Sequence, residues 1–240
     1  MGVKADSATK GRLVAAASEL FAGRGFHGTT VRDIAARAGV NVAAGNYHYG
    51  SKKALYLEVF RAQFAEIRAL LARRGAAKAP AELEVLSRPE LRRLFGVRVR
   101  AMLDLLIGPP LSLHGALMQR EMMDPSEALP VIVGEFIQPL MRETEAIVAR
   151  LRPDLTPAAV RKCVFSVVGQ VLFFRYSMAG ILGLLGLQHY SRGFVRQLGE
   201  HITEFSLAGI ERVAQAASAG SAGDAGPARR AGRKRKARAA

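Results

Sequence analysis

Between Thr30 and Lys53 the chain reads TVRDIAARAGVNVAAGNYHYGSKK, and few folds accommodate that order of residues. Thr30 followed by Asp33 is a capping box: the hydroxyl satisfies a free backbone N–H and the carboxylate reaches back to the helix start. Val31, Ile34, Ala35 and Ala38 then return at helical spacing as one apolar stripe. Gly39 stands where this helix must stop and the chain reverse, which favours a left-handed backbone. Asn41 can cap a second helix that runs only to about Tyr47, and Gly50 ends it. Ser51 caps a third, whose inward stripe is Leu55, Val59 and Phe60. Upstream, Leu13, Ala16, Ala17, Leu20 and Phe21 make a further amphipathic helix, closed by Gly23-Arg24-Gly25. Phe26 is placed to fill the small core between these helices.

Two short helices joined at a glycine, followed by a third that opens on Ser51-Lys52-Lys53, form the pattern of a helix-turn-helix with a phosphate-gripping edge. Charge agrees with that pattern. The 240 residues carry a formal net charge of +15, which favours a polyanionic partner. Basic character is concentrated at the two ends, here and in the final run Arg229-Arg230-Ala-Gly-Arg233-Lys234-Arg235-Lys236-Ala-Arg238. From about Ala217 the chain holds no apolar residue larger than alanine apart from Pro227, so it is expected to be disordered. That basic tail either adds sequence-independent affinity for phosphate or is a solvated end of no consequence.

The series A-A-x-x-L-F-A-x-x-G-F-x-G-T-T-V-R-D-I-A-x-x-A-G-V, followed by Tyr47-His48-Tyr49 and Ser51-Lys52, resembles the N-terminal domain of TetR-type transcriptional repressors. It runs continuously from about Leu13 to Phe60. Asn46-Tyr47-His48-Tyr49-Gly50-Ser51-Lys52 is similar to the variant in the CecR-like subgroup. His114-Gly-Ala-Leu-Met-Gln-Arg-Glu-Met122 with Pro125-Ser126 resembles the regulatory domain of the same subgroup. The resemblance implies an all-α protein: an N-terminal helix-turn-helix domain of three helices and a C-terminal helical bundle for ligand binding and dimerisation. The expected division is 1–60, 61–216 and the basic tail 217–240.

On DNA, Val42 to Tyr47 is the expected recognition helix, presenting Asn41, Val42, Ala43, Asn46 and Tyr47. Asparagine can bond an adenine edge at two points, and small apolar groups can touch a thymine methyl. Asn46 departs from the commoner family pattern, which has an aromatic there. Thr30, Tyr47, His48 and Lys52 read as backbone holders, joined by Lys53, because a hydroxyl at one helix start and an ammonium at the next suit phosphate oxygens. Tyr49, and Tyr47 with it, can instead be core aromatics. His48 has no second metal ligand one turn away.

The remainder reads as helices, with no segment alternating at period two. Ala62 to Arg73 continues the linking helix and residues 74–86 form a loop. Ser87, Pro89 and Glu90 open a helix to Ile107, which Gly108-Pro109-Pro110 ends. Leu111 to Met123 is the next. Asp124-Pro125-Ser126-Glu127 caps another that reaches Leu151 with a bend at Pro139. Thr156-Pro157 starts a long helix extending into the glycine-rich 180s, and a last helix spans Tyr190 to Ala216. Cys163 to Leu187 is apolar, but Gln170 and Arg175 interrupt it. An arginine near mid-span is costly in lipid, so a core or interface helix is expected and no membrane partner. Cys163 is the single cysteine, which precludes an intrachain disulfide and fits a reducing cytoplasm. The N-terminus lacks the apolar core of a signal peptide.

A head this small reads a pseudo-palindromic operator in duplex DNA as a pair, with recognition helices about 34 Å apart. The resemblance implies a homodimer built as a four-helix bundle from the last two helices, the Val164–Leu187 run and the Phe194, Leu198, Ile202, Phe205 stripe. Gly180, Gly183 and Gly186 either let those helices approach closely or mark a helix end. The resemblance also places a small-molecule pocket among the middle helices, whose occupation shifts the linking helix and the spacing of the heads. Met102, Leu105, Leu106, Leu117, Met118, Met122, Phe136, Met141, Phe173 and Phe174 are wall material. His114, Arg120, Glu121, Gln170 and Arg175 need partners if buried. Arg120 or Arg175 either holds an anionic ligand or pairs with Glu121 or another carboxylate. The expected ligand set is Met102, Leu106, His114, Met118, Met122, Phe174 and Arg175, with no metal and no cofactor.

There is no glycine-rich phosphate loop, HExxH or nucleophile elbow, and the histidines at 27, 48, 114, 189 and 201 have no ligand spacing, so an enzyme is not expected. The expected function is a ligand-responsive, cytoplasmic bacterial repressor, nucleoid-associated when bound, with efflux or drug-tolerance genes implied by the subgroup. A non-specific DNA binder driven by the tail and an activator of the same fold are the alternatives.

Overall fold

The expected caps near the N-terminus stand at helix boundaries, Thr30, Asn41 and Ser51 at starts and Gly39 at an end. The computed structural model describes residues 2–108 and 113–223, without the side chains of residues 2–6, 44–47, 80 and 216–223. These residues form twelve α-helices and no strand. The first, α1 (Gly2–Arg24), starts well before the apolar stripe. It ends where Gly25 takes a φ of 75°. At α2 (Val31–Ala38) the Thr30 hydroxyl accepts the Asp33 N–H at 3.1 Å, and Asp33 Oδ2 accepts the Thr30 N–H at 3.1 Å. Gly39 is left-handed at φ 65° and turns its N–H back to the carbonyls of Ala35 and Ala36. Asn41 Oδ1 accepts the Ala43 N–H at 3.0 Å and opens α3 (Val42–Tyr49), two residues longer than the sequence suggests. Ser51 Oγ accepts the Ala54 N–H at 3.0 Å and opens α4 (Lys52–Arg73).

At 22 residues α4 spans roughly 33 Å at about 1.5 Å per residue. Its first half buries Leu55, Tyr56, Val59 and Phe60, and its second half buries Phe64, Ile67 and Leu71. The stretch 74–86 is not all loop. Pro80–Glu84 forms a short helix, α5, because Pro80 fits a first helical turn and the Glu82 carboxylate accepts the Ala79 N–H at 2.7 Å. Then follow α6 (Arg88–Leu106) and α7 (Leu113–Met123). The expected start of α7 at Leu111, like the stop at Pro109-Pro110, lies outside the described residues.

The bend at Pro139 has a defined form. Helix α8 (Leu129–Ile132) passes into a π turn over Val133–Ile137 and then into α9 (Gln138–Leu151). Pro139 has no N–H and its ring crowds the carbonyl four residues back. The wider turn relieves that, with the Gln138 N–H bonding the Val133 carbonyl. The long helix from Thr156 does not reach the 180s unbroken. It stops as α10 (Pro157–Tyr176), turns at Ser177 (φ −96°, ψ 17°) and resumes as α11 (Met178–Leu185). Tyr190 Oη donates to the Phe174 carbonyl at 3.2 Å, so that acceptor stays satisfied beside the break. The last helix, α12 (Arg192–Gly223), starts two residues late because Ser191 Oγ caps Phe194 at 3.1 Å. It runs past Ala216 to Gly223, seven residues into the stretch expected as tail. The basic run Arg229–Arg238 lies outside the described residues.

Helix α1 packs on α2, α4 and α7; α6 packs on α9, α10 and α12; and α10 packs on α9 and α12. By length and composition α10 could cross a membrane. Its neighbours here are α6, α9 and α12, and its buried face is Val160, Cys163, Val164, Val167 and Val171. Two helices, α4 and α7, touch both the N-terminal group, through α1, and the C-terminal group, through α6.

Candidate nucleic-acid interface and ligand cavity

The N-terminal helices hold α3 outward. Asn41, Val42 and Ala43 are exposed. Asn46 and Tyr47 lie on α3, but their side chains are outside the described ones. His48 and Tyr49 are half-buried, with ring centroids 6.5 Å apart, and Tyr49 Oη donates to the Lys10 carbonyl at 3.4 Å. The Thr30 side chain is exposed but its hydroxyl donates to Asp33 Oδ2 at 2.7 Å. Those bonds from Thr30 hold the Asp33 carboxyl below its ordinary pKa.

Lys52, expected to hold phosphate, is engaged within the chain. Its ammonium donates to the Phe26 carbonyl at 3.0 Å and lies 4.2 Å above the Phe26 ring, which clamps the start of α4 to the turn before α2. Lys53 makes no ion pair among the described residues. Beneath this surface Tyr56 meets Phe21 edge-on at 4.6 Å and Phe26 at 4.9 Å. Buried Thr29 donates to the Gly25 carbonyl at 2.9 Å. Sequence reasoning passed over both Tyr56 and Thr29.

Tyr56 also reaches α7. Its hydroxyl donates to Glu121 Oε2 at 2.7 Å. Glu121 is 1% exposed, and its other oxygen accepts the Ser126 N–H at 3.1 Å and the Ser126 hydroxyl at 3.0 Å. Burial, together with the Glu121 carboxylate, raises the Tyr56 phenol above its ordinary pKa. Arg120, next along α7, donates to the Gly23 carbonyl at 2.6 Å. That carbonyl is at the C-terminal end of α1, where a cation complements the helix dipole. Arg120 therefore neither lines the cavity nor pairs with Glu121 or another carboxylate among the described residues, the two roles weighed for it.

A cavity of about 260 Å³ lies between α4, α6, α7, α9 and α10. Met102, Leu106, His114, Met118, Met122 and Arg175 line it, together with Phe64, Met141, Leu172 and Tyr176. Phe174 does not. Its ring lies against Tyr190 and Phe194 at 6.4 and 6.3 Å, because consecutive helical side chains point about 100° apart. Of the other wall candidates, Leu117 is buried core, Phe136 stacks on Phe64 at 4.9 Å, and Phe173 faces outward. Gln170 ties α10 to α12 through Ser206 Oγ at 3.1 Å.

Two arginines border the cavity in opposite circumstances. Arg98 is fully engaged: Nη1 donates to the Ala76 carbonyl at 3.1 Å and Glu143 Oε2 at 2.9 Å, and Nη2 to the Leu140 carbonyl at 3.2 Å. Arg175 is 9% exposed, its Nε has no hydrogen-bond partner, and it pairs with no carboxylate among the described residues. Burial lowers its pKa. His114 bonds Gln63 Oε1 through Nδ1 at 3.1 Å and sits edge-on to Phe64 at 5.2 Å. Burial pushes its pKa down to about 4, so it is neutral at pH 7. No group of histidine, cysteine and acidic residues among the described ones could hold a metal.

Helices α10 and α12 leave an apolar face uncovered. Phe165 and Phe173 on α10 are 58% and 57% exposed, and Phe205 on α12 is 64% exposed. Gly169 and Gly209 lie on the same two helices with open space where a Cβ would be. Val164, Leu198 and Ile202 are not part of that face: they are buried within the chain, which corrects the expected stripe. Gly186 closes α11 at φ 64°, while Gly180 and Gly183 stand in open space along it.

Residues 91–210 match the family described as HTH-type transcriptional dual regulator CecR, C-terminal domain, and residues 13–59 match the bacterial regulatory proteins of the tetR family. The HTH-type transcriptional dual regulator CecR of Shigella flexneri is 30% identical over 194 residues, covering 76% of this chain and 82% of that protein. Among solved structures, a transcriptional regulator from Pseudomonas aeruginosa PAO1 superimposes with a TM-score of 0.59 at 22% identity, covering 85% of this chain and 92% of its own. FadR from Bacillus subtilis, solved in complex with stearoyl-CoA, gives 0.61 at 15% identity, covering 82% and 97%. At such identities the two structures share the fold.

Proposed function

The chain belongs to the TetR family of transcriptional regulators, in the CecR group, and from that premise we propose a homodimeric repressor released from a pseudo-palindromic operator by a small molecule. Residues 1–60 serve as the DNA-binding head and residues 61–216 as the ligand-binding and dimerising body. Asn41, Val42, Ala43 and Asn46 read the major groove, and Thr30, Tyr47, His48 and Lys53 grip the flanking backbone, with Lys52 bracing the grip from behind. The uncovered face of α10 and α12 pairs with the same face of a second copy, which gives the symmetry an operator of two half-sites requires. The protein works in the cytoplasm, and efflux or drug-tolerance genes are the first targets to try, on the CecR resemblance alone.

One observation carries the ligand response. Helix α7 puts His114, Met118 and Met122 on the cavity while Arg120 and Glu121 hold Gly23 and Tyr56. A molecule that displaces α7 by a fraction of a turn therefore pulls directly on α1 and α4. Allosteric couplings are typically about 1–3 kcal/mol per site, enough to shift occupancy severalfold to a hundredfold.

The test is selection of bound duplexes from a random pool, followed by a gel-shift titration of the winner. A palindromic consensus, bound with the stoichiometry of one dimer, is the expected result. A purified protein inert on every duplex, including its own upstream DNA, would end the proposal. Because the Shigella flexneri relative is named a dual regulator, activation by the same fold is the second reading. Transcription from a template carrying the selected operator separates them: the repressor lowers transcript, the activator raises it.

A further inference from the structure

We propose that the cavity takes an amphiphilic anion, with its apolar body among the methionine, leucine and phenylalanine side chains and its anionic head on Arg175. The inference rests on the reading of the cavity as the effector site and adds the chemical class of the effector.

The cavity wall is apolar except at a few points, and those points are unequal. Arg98 has Glu143 and two carbonyls. His114 has Gln63 and is neutral, so it supplies no second positive charge. Among the described residues Arg175 is the wall group with an unbalanced charge: it lines the cavity, is nine-tenths buried, and leaves Nε without an acceptor. The guanidinium is not relieved by losing its proton, since arginine stays charged in proteins. Nor are these acids of the surrounding helices α7, α9 and α6 free. Glu121 is filled by Tyr56 and Ser126, Glu143 by Arg98, and Asp104 by Arg74 at 2.7 Å and Arg100 at 3.2 Å.

The packing around Arg175 makes room for it. Gly115 on α7 faces the guanidinium, and a Cβ there would stand 3.5 Å from Arg175 Cζ and 2.9 Å from the Leu106 carbonyl. A side chain at 115 would clash with the Leu106 carbonyl and fill the space against the guanidinium. A buried cation without a partner is costly, and a carboxylate or sulfonate brought by a ligand supplies the missing acceptor as a charge-assisted fork. An apolar wall with one convergent charged group is the usual design of a site that holds a ligand in one orientation.

The test uses octanoate and octan-1-ol, which share an alkyl chain and differ in the head, titrated calorimetrically into the full-length protein, Arg175→Met and Arg175→Lys. The wild type is expected to prefer octanoate by roughly ten- to a hundredfold, the range of one charge-assisted bond. Arg175→Met should bind both equally and the alcohol as the wild type does, and Arg175→Lys should keep part of the preference. Unliganded Arg175→Met should melt no lower than wild type, since it discards a charge that no described residue balances. Equal wild-type affinity for the two molecules overturns this inference alone, as does a preference that survives in Arg175→Met. A fall in the melting temperature of that variant assigns Arg175 to the fold and overturns it too. If the wild type takes neither molecule, the effector-site reading falls with it.

Discussion

At the scale of single residues, Glu121 and His114 hold the most consequence, for opposite electrostatic reasons. Glu121 is a carboxylate buried among three donors from two other segments. Tyr56→Phe removes one donor and leaves an oxygen dry and unbonded, at about 1–3 kcal/mol, read as a lower urea midpoint with an unchanged slope. His114 is a base buried neutral, with its folded pKa near 4 against an ordinary 6.5. Between those values the unfolded chain takes up a proton the folded one refuses. Stability therefore falls as pH drops through that window, by up to roughly 3 kcal/mol. Denaturant melts from pH 7 to pH 4 should show that loss, and His114→Gln should flatten it. Sequence marked both residues as polar groups needing partners but could not supply Tyr56 and Gln63. These lie 65 and 51 residues away, and only tertiary folding brings them close.

At the scale of elements, what the sequence disclosed was local. Thr30 with Asp33, Ser87 with Glu90, and Ser51 and Thr156 at their helix starts each bond backbone within three residues, so spacing alone reveals them. Thr30→Ala should destabilise the N-terminal helices by about 1 kcal/mol, visible in thermal melts before any DNA is added. Faces were read less well. The stripe Leu55, Val59, Phe60 left out Tyr56, because α4 packs on both α1 and α6 and meets Glu121 of α7 through Tyr56, and a helix buried on more than one side shows no clean period. One position separates Phe174 from Arg175, yet only Arg175 faces the cavity. Close approach was also invisible. Gly115→Ala places a methyl 2.9 Å from the Leu106 carbonyl and should cost about 1–3 kcal/mol of stability while shrinking the cavity, measured by melting and by ligand titration.

For the whole molecule, the proposed dimer rests on the uncovered aromatic face, and the basic ends are the proposed source of long-range attraction. Phe173→Asp with Phe205→Asp should leave the circular-dichroism spectrum intact, since both side chains are exposed, but move the sedimenting species to a monomer. Operator affinity should fall with it, because single heads meet single half-sites. Truncation after Gly223 removes the basic run without cutting α12. Affinity for operator and random duplex should then fall alike, and the dependence of log K on log salt should flatten. A truncation that abolishes discrimination would instead favour binding driven by the tail. The all-α character was readable because caps and apolar runs at helical spacing recur along the chain. Which aromatics turn outward was not, since Phe205 and Ile202 look alike in sequence and differ only in which side of α12 they occupy.

The bond between Tyr56 and Glu121 has a mechanical corollary. A head that begins to tilt must lift its phenol from a carboxylate that no water can reach, and half a tilt recovers nothing. Such a joint behaves as a latch: it resists small pulls and then lets go at once. The orientation of each head should fall into discrete seats rather than a continuum, and the gene it governs should answer its effector as a switch rather than a dial.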